Sequence, residues 1–414
     1  MSDRRDERTA HRPLLRRPHA KRALVNVGGV VETEGDEALC ARLRVALEVR
    51  PGERDATLTH PFHAYPARLH PAVARALVSS LALPPGALVL DPFCGSGTVL
   101  VEALAAGFNA LGRDLSPFAV ELAQLKTRVT NAQDRRRMVT AAASVAMRAE
   151  QGARLHRQLR VPRGEQRWFH PHALAELSAL RTELRETKGF TLDALRMLFS
   201  SILVKASLQA SDSDARRVRK DVPIRAAIHW FADKARELDG CLAALEAAVP
   251  EGVRAQVSAD DATTLATVAD ASVDAIVTSP PYANTYDYVQ HHERRYLWLG
   301  LDARAMRERE LGSARSFAEN PEIGVFRFTR ELSSVMRAFA RVLRPGGRAV
   351  IVMADGAAGD VPLFADVLLR EAAQGAGLKL VARASQPRAV FDTTTARAFG
   401  AKPKREHVVV VAKR

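Results

Sequence analysis

The chain has 414 residues, enough for two or three domains, or for one domain carrying a large insertion. Apolar residues make up 47% of it, but no run approaches the roughly 20 needed to span a bilayer, so no membrane partner is expected and the expectation is a soluble, cytoplasmic protein. Lys plus Arg outnumber Asp plus Glu 61 to 47, a formal net charge of +14 that favours a polyanionic partner such as nucleic acid, although a biased genome can enrich arginine too.

Three scattered cysteines, Cys40, Cys94 and Cys241, exclude a disulfide framework or a zinc knuckle and fit a reducing compartment. Residues 1–22 are rich in arginine, carry acids and lack a hydrophobic stretch, so they do not read as a secretory signal. They read as a disordered basic tail, either solvated or touching phosphates, and the sequence stays poorly defined to residue 56.

Regular elements begin with "HPFHAYPARLHPAVARALVSSL", whose apolar residues recur at helical spacing from Val73 onward. "GALVLDPFCGSGTVLVEALAAG" predicts a short strand, a glycine turn and a helix starting near Gly97, and "NALGRDLSPFAVELAQLKT" predicts strand, turn and helix again. Two successive βα units imply a parallel, doubly wound sheet. Between about 130 and 250 strand signals vanish and amphipathic helices follow one another, a helical insertion of about 120 residues. The α/β pattern resumes with "GVRAQVSADDATTL", "SVDAIVTSPPY" and "RVLRPGGRAVIVMAD", and ends in two strands, "LKLVARASQP" and "EHVVVVAKR", that pair across a long connection. The organisation expected is therefore a tail over 1–56, a cofactor-binding half over 57–129, the helical insertion over 130–250 and a catalytic half over 251–414. The fold class is α/β, a Rossmann-like, mostly parallel sheet with an antiparallel C-terminal strand.

The turn between the first strand and helix places Gly95 and Gly97 where a ligand can approach the backbone at a helix N-terminus. Leu100 stands where a dinucleotide fingerprint wants a third glycine, which argues against NAD. Asp114 closes the next strand, the position where an acid in this topology accepts hydrogen bonds from ribose hydroxyls. A nucleoside ligand without pyrophosphate suits both facts. Taken singly, Asp91 and Asp114 also read as helix caps.

"DPFCGSGT" followed by "TSPPY", each at the end of a predicted strand, resembles the DNA amino-methyltransferases that modify cytosine N4 or adenine N6. The resemblance covers roughly residues 57–128 and 252–414. It implies S-adenosyl-L-methionine as cofactor, with Asp91, Phe93, Gly95 and Gly97 in its binding loop, Asp114 on the ribose, and Asp261 near the adenine, unless adjacent Asp260 takes that part. "FHAYPARLHP" resembles the segment that packs over the methionine end, which brings in Tyr65 and Pro66. Implied partners are DNA, with RNA as the alternative, and a cognate restriction endonuclease.

The chemistry gives Ser279-Pro280-Pro281-Tyr282 its meaning. An exocyclic amine is a poor nucleophile because its lone pair is delocalised into the ring, and two acceptors aimed at its N–H bonds draw it toward tetrahedral geometry. The Ser279 side chain and the Pro280 carbonyl are the expected acceptors. The prolines hold the frame stiff and offer no competing N–H, while Tyr282 offers a flat face for an extruded base. Ser at the first position leans toward cytosine N4. No metal is required, and Cys94 reads as a packing residue rather than a nucleophile. Arg294 and Arg295, in "NTYDYVQHHERRYLWLG", are candidate phosphate contacts or one face of an ordinary helix. Arg216, Arg217, Arg219 and Lys220 in the insertion are candidate nucleic-acid contacts, with a protein-binding surface as the other reading. The competing class is a non-catalytic nucleic-acid binder of the same fold.

Overall fold

The structure is a computed structural model that describes residues 29–49, 57–154, 161–390, 393–400 and 402–414. The basic tail expected over residues 1–22 lies outside the described residues. The described chain opens with strand β1 (Glu32–Gly35) and helices α1 (Glu37–Leu47) and α2 (Pro71–Ser80). It continues through β2 (Leu88–Asp91), α3 (Thr98–Ala105), β3 (Asn109–Asp114) and α4 (Pro117–Lys126). The insertion comprises α5 (Ala132–Arg154), α6 (Pro171–Glu183), α7 (Gly189–Ala206), strands β4 (Gln209–Ser211) and β5 (Asp214–Arg217), and α8 (Ala226–Ala248). Then come β6 (Ala255–Ala259), β7 (Val273–Thr278), three helices α9 (Tyr288–Leu299), α10 (Arg304–Arg309) and α11 (Ala314–Glu319), and the long α12 (Pro321–Val342). The chain closes with β8 (Leu343–Ala354), a small ribbon of β9 (Gly356–Ala358) and β10 (Val361–Leu363), α13 (Ala365–Gly375), β11 (Leu378–Pro387), α14 (Thr393–Phe399) and β12 (Arg405–Lys413).

Eight strands form one sheet in the order β1-β11-β12-β8-β7-β2-β3-β6. From β8 to β6 all neighbours are parallel, and Val89, Leu90, Ala275, Ile276 and Val277 in its middle are fully buried. That burial explains why these strands read as unbroken apolar runs rather than alternating ones. β12 runs antiparallel to β8, and β11 antiparallel to β12, so the fold class stands as expected. Outside β11, β1 adds a further antiparallel strand at the sheet edge. Glu32 pairs with Arg405, and Glu34 lies 2.9 Å from Arg370 and 3.0 Å from Arg383, charges that discourage another chain from pairing there.

The insertion is not purely helical. β4 and β5 form a short antiparallel hairpin within the polar segment that gave no strand signal. Its helices share one apolar cluster with α4 and α9, including Phe118, Leu122, Phe199, Phe231, Tyr296 and Trp298. From β2 the chain proceeds to β3 and β6 on one side, and later to β7 and β8 on the other. The order reverses between β2 and β7, and in doubly wound sheets a ligand cleft opens at the carboxyl ends of the strands beside such a switch.

Candidate active site

The cleft lies there, about 920 Å³ of open space with its mouth included. One wall is the turn after β2. Asp91 is buried, and its Oδ1 accepts hydrogen bonds from the Phe93 amide (3.1 Å) and the Thr278 hydroxyl (2.7 Å). Burial raises its carboxyl to about 7, against those two hydrogen bonds. Asp114 ends β3, and its two oxygens accept from the backbone amides of Gly95 (2.9 Å) and Ser116 (2.8 Å). Burial raises it to about 6, and the backbone donors hold it lower than burial alone would. Neither acid is a cap residue: Gly97 precedes α3 and Ser116 caps α4.

Gly95 sits at φ +48°, and a Cβ there would stand 3.3 Å from the Tyr65 ring. Gly97 at φ +80° would meet Ala123 Cβ at 3.2 Å. The first glycine lets Tyr65 close over the turn and the second lets α3 and α4 approach. Ser96 and Thr98 also line the cleft, and their hydroxyls are buried with no partner among the described residues. Two unsatisfied hydroxyls at a helix N-terminus are costly unless a ligand meets them.

The opposite wall comes from the segment after β7 and from the lid of α9–α11. Ser279 and Pro281 line the cleft. Pro280 is buried just behind, and Tyr282 is off the wall. The Tyr282 hydroxyl donates to Glu406 (3.0 Å) and accepts from Ser279 (3.5 Å), while its ring packs on the apolar cluster under α12. Glu406 is in turn paired with Arg388. The ring expected to stack on a base is thus packed off the cleft, while Tyr288 lines it on this side. Sequence reasoning also passed over Glu310, a wall carboxylate raised to about 7 by burial. Glu310 accepts from the Tyr288 amide (2.7 Å) and pairs with Arg315 (2.8 Å).

Of the remaining cofactor candidates, Tyr65, Phe93 and Asp261 line the cleft. Pro66 is buried behind Tyr65 and Gly97 lies under α3, so neither forms the wall. Asp260 lies off the wall and accepts from the Thr267 hydroxyl (2.6 Å), whereas Asp261 lines the cleft, its Oδ1 accepting from the Thr263 hydroxyl (2.6 Å) and its Oδ2 lying 3.5 Å from Arg309. Cys94 is buried, and burial pushes its thiol well above the usual range, with Asp114 adding to the effect. It stays protonated, as a packing residue should.

Arg294 and Arg295 require correction. Both are buried: Arg294 donates to Gln209 Oε1 (2.7 Å) and stacks 3.6 Å over Trp168, and Arg295 pairs with Asp212. They tie α9 to the insertion and cannot reach a phosphate. Arg216, Arg217 and Arg219 are exposed, although Arg216 pairs with Asp214 (2.7 Å) and Arg217 donates to the Arg167 carbonyl (2.9 Å). Lys220 is half-buried and donates to the Val204 carbonyl at 3.2 Å. Off the cleft wall, Asp355, Asp366 and His407 converge, a cluster the sequence reading did not find. Asp355 already accepts from two backbone amides and from His407, so its oxygens are committed to the fold.

A doubly wound sheet with a cleft at its switch point, acids at the ends of β2 and β3 and Ser-Pro-Pro-Tyr after β7 defines a Rossmann-like α/β fold with its ligand site at the strand ends. Residues 61–168 match the family described as "RMKL-like, methyltransferase domain". The chain is 39% identical over 72 residues to the Type II methyltransferase M.MvaI of Kocuria varians, covering 17% of this chain and 16% of that protein. It is 36% identical over 74 residues to the tRNA (guanine(10)-N2)-dimethyltransferase of Methanothermobacter thermautotrophicus, covering 18% of this chain and 20% of that one. The chain thus spans a fifth or less of these relatives' lengths. The crystal structure of TrmN from Thermus thermophilus aligns over 86% of this chain and 52% of its own at 14% identity and TM-score 0.35. The resemblance carried by the motifs is borne out at the level of the methyltransferase domain, and S-adenosylmethionine is the cofactor. The cleft fits it: unpartnered hydroxyls at a helix N-terminus, buried acids for ribose and cationic groups, and an apolar wall. Among the described residues no helix is long and apolar enough to cross a membrane.

Proposed function

We propose that the protein methylates DNA at the exocyclic N4 amine of cytosine. One observation carries the reading: the Thr278 hydroxyl bonds Asp91 at 2.7 Å, so the last residue before Ser279 is tied to the cofactor turn and both motifs open into one cleft. Bound there, S-adenosylmethionine supplies an electrophilic methyl group. Asp114 and Asp261 hold its nucleoside part, and ionised Asp91 faces its positive charge. The Ser279 hydroxyl and the Pro280 carbonyl accept hydrogen bonds from the amine's two N–H groups, which orients the nitrogen lone pair. Reaching the amine requires a base outside its stack, and Tyr288 offers that base a flat face. The exposed arginines of the β4–β5 hairpin suit a phosphate backbone.

Adenine N6 uses the same acceptors and is the nearest substitute. The match to a tRNA guanine-N2 enzyme favours a second reading, an exocyclic amine of RNA. Purified protein incubated with labelled S-adenosylmethionine and separate pools of DNA and RNA, followed by mass spectrometry of nucleosides, tests all three. N4-methylcytosine in DNA is expected; N6-methyladenine corrects the base, label in RNA alone corrects the polymer, and no label in either pool refutes the enzyme. Ser279→Ala should lower turnover roughly 100-fold, the usual loss for one transition-state hydrogen-bonding group, while cofactor affinity is retained.

A further inference from the structure

Asp212, in the turn between β4 and β5, lies in the insertion and lines no part of the cleft, yet a continuous set of contacts runs from it to the cofactor wall. Its carboxylate pairs with Arg295, whose side chain is 1% exposed. The other arm of that guanidinium reaches His292 Nδ1 at 3.3 Å. A guanidinium only donates, so Nδ1 accepts and the His292 ring is neutral, in keeping with the burial and the neighbouring Arg295 that push its pKa well down. The ring centroid of His292 lies 4.8 Å from that of Tyr65 and 4.9 Å from that of Phe118. Tyr65 in turn closes on Gly95, 3.3 Å from where a Cβ would stand.

We propose that Asp212 is a positioning residue for cofactor binding, fixing Arg295 and, through His292, the Tyr65 ring that closes over the glycine turn. Without Asp212 the buried Arg295 charge has no carboxylate partner among the described residues, a state a protein relieves by moving the charge toward water. That movement releases His292, and Tyr65 loses the ring packed behind it. The hairpin that presents Arg216 and Arg217 and the wall that covers the cofactor thereby form one mechanical unit.

The inference rests on the reading of the cleft as the cofactor site, and calorimetric titration of S-adenosylmethionine into the full chain separates the two. Asp212→Asn should weaken binding roughly tenfold, and Asp212→Glu should restore it. In a Tyr65→Ala background Asp212→Asn should cost nothing further, because the ring it positions is gone. A role in stability alone would lower the melting temperature and leave the affinities independent. If Asp212→Asn does not fold, Arg295→Lys carries the same expectation, since it keeps the charge but gives up the fork that holds both partners. Unchanged affinity in Asp212→Asn, or an equal loss with and without Tyr65, overturns the proposal. Failure of the unmutated protein to bind the cofactor overturns the reading of the cleft and this inference with it.

Discussion

Asp91 and Asp114 are held in the cleft at a cost. Their ordinary carboxyl value is 3.8, and burial carries them to about 7 and about 6. A raised native value means the folded chain binds protons that the unfolded chain has lost, so their contribution to stability is full below 3.8 and is lost as pH rises through 6 and 7. At neutral pH they are partly ionised without a cation opposite them. The cofactor's positive charge supplies one, so its affinity should rise between about pH 5 and pH 8 as the two acids ionise. Asp91→Asn should weaken binding and flatten the upper part of that rise, measured by titration at several pH values; an unchanged profile would remove Asp91 from the cofactor's surroundings. These acids were legible because strand-end position needs only local sequence. The direction of the Tyr282 ring was not legible, because side-chain direction beyond a strand is set by partners, here Glu406, that lie more than a hundred residues away.

At the scale of elements, the β4–β5 hairpin and its exit hold three exposed arginines within four positions, Arg216, Arg217 and Arg219. Replacing all three by Gln should reduce the slope of log affinity against log salt for DNA by roughly one unit for each phosphate no longer neutralised, read by fluorescence anisotropy across a salt series. An unchanged slope would place the polyanion elsewhere. The hairpin escaped sequence reading because its strands are three and four residues long and mostly polar, with neither length nor alternation to register as a period. β1 escaped for a related reason: Glu-Thr-Glu-Gly is largely exposed at the sheet edge. Arg294 and Arg295 looked like a solvated basic face because their partners Gln209 and Asp212 are more than eighty residues earlier. The central strands and the two βα units were legible because burial on both faces writes itself as consecutive apolar residues.

For the molecule as a whole, the insertion shares its apolar cluster with α4 and α9, so it should unfold with the sheet rather than before it. Saturating S-adenosylmethionine at about 100 times its dissociation constant should stabilise the fold by about 2.7 kcal/mol. Calorimetry should then show a single transition displaced upward. Two transitions, of which only one moves, would make the insertion an independent unit.

The backbone amide of Leu88 donates to the Asp274 side chain at 2.7 Å, 186 positions along the chain. It stands beside the register that joins β2 to β7. Closing so long a loop is entropically expensive, and the chain recovers that cost only after the strands have paired. The pairing of β2 with β3, in which Leu88 lies opposite Asn109 only 21 positions along the chain, closes a short loop and can form well before. A newly synthesised chain should therefore pass through a stage with β2 and β3 paired and an incomplete sheet, and the cleft comes into being only with the last central pairing. Gain of cofactor binding during refolding would then serve as a clock for that final step.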